Sequence, residues 1–520
     1  MSSLKMSPKS SPVISPVEQP DVDSPPIRRA PWLTPRRLLL FVIGWLTLFA
    51  VLSAFVSNPF QSETSASATP DYARIMFLHG LLIGMVGLLA LLTCQVFHLR
   101  STHVRVWIAG GVVVATVLAA VGGIWDKSIP GSEVPMWTQI LGFFALDEIL
   151  LTLLIGLIGE WRRNRLARTL LYGTAMLASV SMFFAALMGH LAGWIMEFGN
   201  RPAILGDFAR FAGFGSLDDF TGALVGSHSH EMAVAVMALT ITVLAQQFGA
   251  DTLRGMSRVL AQTGSMLVAL GVAMMTAIYV AGAISQWAPP TLFTSGPDNA
   301  NGIAGDDVVT GILVMGGGLL VVAAFALLGS VLRQPLRIAA MWAWILSFAT
   351  VVVAGFAIEL NEVYFGAGDA AAPGAAKDAV FTWLHQDVGL FLLPATVIVM
   401  LVAERLIRST RTSWIGWATL AGTTIAFLGG LIFVFVDPAL RGSGYLLTSM
   451  GLVVMGIAVL TTLWMGIDAR TRSEPLHKTA PLTAPAVSST TLQAEPPSVR
   501  ATPTPEPQTE TRVPEEVGTR

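Results

Sequence analysis

Taken as a pattern of apolar and polar positions, the chain alternates between long apolar runs and short polar breaks. The runs fall near 37–57, 74–98, 104–125, 136–159, 169–196, 230–248, 258–286, 308–332, 337–359, 379–404, 413–436 and 445–467. Each is close to the roughly 20 residues that an α-helix needs to cross a hydrocarbon core. The pattern therefore predicts an all-α polytopic membrane protein with twelve transmembrane helices. The breaks carry a second signal. The segments RRAPWLTPRR, HLRSTHVR, EWRRNRLAR, RGMSR, RQPLR, ERLIRSTRTS and DARTR all fall on one side under strict alternation, and the intervening loops are poor in Lys and Arg. Because cytoplasmic loops hold the excess of Lys and Arg, this predicts a multi-pass protein of the cell membrane with both termini in the cytoplasm.

Composition agrees with the pattern. Hydrophobic residues make up 53% of the 520 and charged residues only 12%, about half the share in a soluble chain. Membrane lipid is the expected surrounding partner, and the scattered basic clusters on a chain of net charge −2 form no patch for nucleic acid. Residues 1–35 and 469–520 are rich in Pro, Ser, Thr and Glu and cannot bury enough apolar surface to order themselves. They are read as disordered cytoplasmic tails on either side of a transmembrane domain at 36–468. The first apolar run is longer than a secretory signal core and is kept as a span. The single cysteine, Cys94, lies inside an apolar run, which excludes a disulfide framework and any Cys-x-x-Cys metal motif.

The candidate chemistry lies in the histidines. The second, sixth and tenth spans enter from the outer face, and each begins with one: His79 in RIMFLHGLLIGMVG, His230 in GSHSHEM and His385 in FTWLHQDVGLFLL, about 150 residues apart. That spacing hints at three four-helix repeats. His190 in FFAALMGHLAGW lies late in the outward-running fifth span, and His228 precedes His230 by two positions. All these imidazoles are expected at a similar depth below the outer surface. Neutral imidazole is the commonest protein metal ligand and suits iron, copper and zinc. A haem held between two helices asks for an inward histidine from each with small residues beside it, and Gly80, Gly189, Gly226 and Ser229 adjoin these histidines. Residues 228 and 230 are about 200° apart on a helix, so they share a small ion only if His228 lies in a nonhelical entry.

Ionisable groups at membrane depth are costly and mark function or a partner. Asp147 and Glu148, in the middle of the fourth span, and Glu231, beside His230, are candidate proton-relay groups. Glu231 is also a candidate acceptor for the ring N–H of a ligating histidine.

The twelve spans as three four-helix units, a second span of the form His-Gly with methionine soon after, and a histidine on the tenth span near the outer face resemble the large subunit of the haem–copper oxidase superfamily, the cytochrome oxidases and nitric oxide reductases. The resemblance covers about residues 37–467. It implies a respiratory-chain oxidoreductase or electron-transfer subunit with a low-spin haem of b- or a-type clamped by His79 and His385. In that family the sixth helix carries a copper ligand, and the matching position here is His230. Partner subunits and a cytochrome c, cupredoxin or quinol electron donor are implied as well. The chain departs from the family twice, for the seventh span has no histidine where the family has an adjacent pair, and the tenth has one where the family has two. The expectation that replaces the three-histidine copper centre is a second haem or copper site using His190 with His230 or His228. Two further readings stay open on the residues alone: a proton-coupled secondary transporter using the histidines and Asp147, and a membrane haem- or metal-binding protein without turnover.

Overall fold

A computed structural model describes residues 72–99, 101–128, 134–163, 169–201, 203–284, 305–325, 334–365, 381, 384–406, 413–435 and 441–468; the run at 37–57 and both predicted tails lie outside them. The described residues all belong to one compact unit, Met1–Ala469. Among them there is no strand, and the helices follow in the order α1 (Tyr72–Val96), α2 (Thr102–Ser128), α3 (Val134–Arg163), α4 (Leu170–Phe198), α5 (Ile204–Phe211), α6 (Leu217–Gln247), α7 (Gly255–Ile284), α8 (Gly305–Phe325), α9 (Pro335–Phe365), a π-helical segment (Leu384–Leu392) that runs into α10 (Leu393–Leu406), α11 (Ser413–Phe435) and α12 (Arg441–Asp468). Six of these, α3, α4, α6, α7, α9 and α11, contain stretches long and apolar enough to cross a membrane. Shorter apolar stretches occupy α1, α2, α8, α12 and the π segment with α10. The protein is thus an all-helical membrane protein.

Packing places α6 at the centre. Of its most apolar stretch 72% is buried, against 39% to 56% in the other five long helices, and it contacts α1, α4, α7, α8 and α10. The perimeter is apolar too, with Trp107, Phe356, Trp417 and Leu446 exposed, as expected of a surface solvated by lipid. Close approach of neighbouring backbones depends on glycine: a Cβ at Gly264 on α7 would lie 2.8 Å from the carbonyl oxygen of Gly316 on α8, the small-residue contact that membrane helices use. At one end of the bundle Arg337 of α9 pairs with Glu404 of α10, and Gln247 of α6 donates to the same carboxylate at 2.8 Å. The guanidinium also lies over the Phe248 ring, 5.4 Å from its centroid, so three helix ends are tied together by one charged group.

The start of α6 differs from the apolar pattern, which places it at residue 230. Ser216, in extended geometry, accepts the backbone N–H of Asp219 at 3.0 Å, and Asp218 and Asp219 occupy the first turn. An N-cap hydroxyl and acidic residues both satisfy the exposed N–H groups and positive end of a helix. Phe214 packs on the fully buried Phe220 at 5.2 Å between centroids, anchoring the entry. The GSHSHEM stretch is consequently well inside the helix and not at its mouth, which rules out the nonhelical entry that a shared ion on His228 and His230 requires.

Candidate functional site

His385 stands in the π segment. Pro394 follows closely and lacks an N–H, and a proline ring also crowds the carbonyl four residues before it, so a regular α-helical ladder cannot run through this point. The wider π turn leaves the Gly389 carbonyl to be claimed from outside, and Ser347 of α9 donates to it at 2.7 Å. One turn away, Nδ1 of His385 hydrogen-bonds the carbonyl of Val351, also on α9, at 2.9 Å. A carbonyl can only accept, so Nδ1 carries the proton and the lone pair of the neutral ring lies on Nε2. Gly355 faces the ring, where a Cβ would come within 3.3 Å of Cε1 and Nδ1. Beside the segment, Val353, Ala354, Phe381, Leu384 and Phe427 line an apolar crevice.

His228, on the central helix α6, is seated in the same manner. Its Nδ1 hydrogen-bonds the carbonyl of Ala185 on α4 at 2.7 Å, and a Cβ at Gly189 would lie 2.5 Å from Cε1 and Nδ1 of the ring. One turn along α6, Ser181 of α4 donates to Oε1 of Glu231 at 3.1 Å. Glu231 is completely buried, Thr276 of α7 approaches the same carboxyl, and Oε2 has no aligned hydrogen-bond partner. Its partner is therefore a hydroxyl, where the sequence suggested a histidine ring.

His190 points elsewhere. Its Nδ1 lies 2.6 Å from Oδ2 of Asp147 on α3, while Phe144 stacks on the ring at 4.7 Å and Phe143 meets it edge-on at 5.5 Å. The pairing is a close polar contact and not an aligned hydrogen bond, and Nε2 is buried without a hydrogen-bond partner. The expected company of His190 with His228 or His230 is replaced by this carboxylate, because successive residues on α4 face different neighbours: Gly189 meets α6 and His190 meets α3. Glu148, next to Asp147, is exposed and takes no part in the pair. His230 is exposed as well; its Nδ1 bonds the carbonyl of Gly226 on its own helix at 2.9 Å, its ring stacks on Tyr279 of α7 at 5.7 Å, and it lies within electrostatic range of His385. His79 stands on α1; the contacts of its side chain lie outside the described residues.

Chemically, the two carbonyl-held imidazoles are suited to ligation. A ligating histidine normally donates its other ring N–H to a carbonyl or carboxylate, which fixes tautomer and orientation, and both rings are fixed in that way with glycine clearing one edge. Among the described residues no three His, Cys, Asp or Glu side chains converge to hold a bare metal ion. The residues that position these rings, Ser181, Ala185, Ser347, Val351 and Gly355, carry no titratable group and drew no attention in the sequence; the available signal was the serine-to-glycine spacing shared by α4 and α9. No protein-family model, no curated protein and no solved structure matches the chain.

Proposed function

We propose that the protein is a haem-binding integral membrane electron-transfer or oxidoreductase subunit on the plan of the haem–copper oxidase large subunit, with twelve spans in three four-helix units, lying in the cell membrane with both termini cytoplasmic. His79 on α1 and His385 on the π segment would hold one low-spin haem near the outer face, and α6 would contribute to a second cofactor site. The observation that carries this reading is the seating of His385: the Val351 carbonyl accepts the Nδ1 N–H, Gly355 clears the ring edge, and an apolar crevice adjoins it. In addition α1, which bears His79, packs against both α6 and α10, so the helices with the three evenly spaced histidines are neighbours. A haem bound there supplies one-electron transfer. The chain's part is to fix the imidazole tautomers, exclude water and present the outer face to a cytochrome c, cupredoxin or quinol donor. With no histidine in α7, reduction of oxygen or nitric oxide at a three-histidine copper is no part of the proposal.

The test is the dithionite-reduced minus oxidised spectrum of the purified protein. Sharp α and Soret bands are expected in the parent, with collapse or conversion to a high-spin form in His79→Ala and in His385→Ala. A colourless parent overturns the reading, and parent-like spectra in both variants overturn the axial pair. Orientation is checked by cysteines placed at 60–70 and 288–305, which should react with an impermeant thiol reagent outside intact cells, while those beside Arg254 or Arg408 should not. The Asp147–His190 pair and the buried Glu231 favour a second reading, proton-coupled transport. Solute flux driven by an imposed pH gradient in proteoliposomes, lost in Asp147→Asn and found in a protein without haem bands, would establish that alternative.

A further inference from the structure

α5 is eight residues long, far too short to cross a membrane, yet it presents three distinct faces. At about 100° per residue, Leu205, Ala209 and, just past the helix end, Ala212 fall on one side, where they meet the apolar cluster of α4 and α6 around Ile195 and Phe220. Asp207 and Arg210 pair with each other, stay exposed and stand roughly opposite that side. Ile204, Phe208 and Phe211 lie within about 60° of one another, about a quarter-turn from both other faces. Phe208 leans on Phe220 at 5.7 Å between centroids, but all three side chains are exposed, Ile204 to 66% and Phe211 to 89%. Protein covers the first face and water suits the ion pair; the third face calls for a third environment.

The level of α5 in the bundle supplies it. The Phe198 ring at the end of α4 clusters with Trp194 at 4.7 Å and with Trp137, at the start of α3, at 5.5 Å. The Trp194 indole N–H donates to the Arg201 carbonyl at 2.7 Å, and Asn200 Oδ1 accepts the Gly206 N–H at 2.8 Å, so α5 departs directly from this cluster. Indole rings, apolar with one polar N–H, collect at the membrane–water boundary. Met196, in the last turn of α4, is exposed like the rest of the apolar perimeter, so the lipid-facing wall reaches the turn from which α5 starts.

We propose that α5 is an interfacial anchor, with Ile204, Phe208 and Phe211 set into the boundary layer of the bilayer and Asp207 and Arg210 turned to water. Amphipathic helices of this kind bury their apolar face between headgroups and acyl chains. Apolar insertion holds it, not charge: between Gly199 and Asp219 two arginines stand against three aspartates, and Arg210 is already paired, so an anionic headgroup is not required. Because α5 joins α4 to α6, the anchor fixes the depth at which these two helices cross. It depends on the chain spanning a membrane and is independent of any haem.

The experiment places one nitroxide label on the full-length protein in phosphatidylcholine nanodiscs, using Ile204→Cys, Arg210→Cys and Phe211→Cys in turn. All three positions are exposed, so the fold is not at stake, and Cys94, 1% exposed, stays unlabelled in the folded protein. Power saturation then compares collisions with oxygen, which concentrates in hydrocarbon, and with a water-soluble nickel chelate. Labels at 204 and 211 should favour oxygen several-fold more than the label at 210, and adding phosphatidylglycerol should leave that ratio unchanged. Nickel access at 204 and 211 equal to that at 210 places α5 in water and overturns the anchor. Labels at 204 and 211 that neither reagent reaches overturn it as well by showing protein over the face, a second copy if the nitroxides broaden one another. A preference for oxygen that appears only with phosphatidylglycerol overturns the assignment to apolar insertion.

Discussion

The α4–α6 and α9–α10 pairs hold their histidines by the same backbone device, yet differ one turn below the ring. In the first pair Ser181 meets the buried carboxylate of Glu231 on a regular α-helix; in the second Ser347 meets the backbone carbonyl of Gly389 in a π turn set by Pro394. The clearance differs as well, since a Cβ would come to 2.5 Å of the ring at Gly189 and only to 3.3 Å at Gly355. Tautomer and ring direction are therefore supplied by helix crossing, while the polar group one turn away is a side-chain carboxyl in one pair and a backbone carbonyl in the other. One crossing geometry thus seats two imidazoles in surroundings of different polarity.

The glycines break the comparison most strongly. Gly189→Ala forces the His228 ring to move in a packed interface, an overpacking change expected to cost about 1 to 3 kcal/mol, while Gly355→Ala asks its neighbour to give by a few tenths of an ångström and should cost under about 1 kcal/mol. Thermal unfolding in mild detergent can follow both through the single cysteine, Cys94, which is 1% exposed and reacts with a fluorogenic maleimide only as the bundle opens. Equal losses at the two glycines would show that the seats are equally tight. Next in size is Ser347→Ala, which leaves the Gly389 carbonyl without its hydroxyl partner where the missing N–H of Pro394 offers no substitute; an unsatisfied buried acceptor costs about 1 to 3 kcal/mol. Ser181→Ala should cost about 1 kcal/mol, because Thr276 also approaches the Glu231 carboxyl; a loss larger than that of Ser347→Ala would reverse the ranking of the two seats. The smallest effect is expected from Glu231→Gln, which keeps the volume and an acceptor for Ser181 and should stay within about 1 kcal/mol of the parent in the same assay. A drop of several kcal/mol there would mean that the negative charge itself holds α4, α6 and α7 together.

Much of the architecture is legible in the order of residues, for a physical reason that is local. An apolar run of about 20 residues has few alternatives to a helix in lipid, since every backbone group must be satisfied within the segment, and the described runs are helical throughout. The start of α6 was readable too, in the Ser216-x-x-Asp219 capping pattern ahead of the apolar stretch, but an apolar-run criterion passes over it. The histidines and acids could be picked out because their residue types are rare at such depth. Their partners could not. Gly189 and His190 are adjacent in sequence and face different helices, Asp147 and Glu148 are adjacent and one is buried while the other is exposed, and a helix that is apolar on all sides has no polar face from which to infer its orientation. Which carbonyl receives each Nδ1, and that the windows at 181–189 and 347–355 do the same work, follows from how α4 crosses α6 and α9 crosses the π segment. Sequence alone determined the all-helical membrane character and the residues capable of ligation; the tertiary structure decided which rings are held and by what, because side-chain direction is set by the rotation of each helix against its neighbours and not by position along the chain.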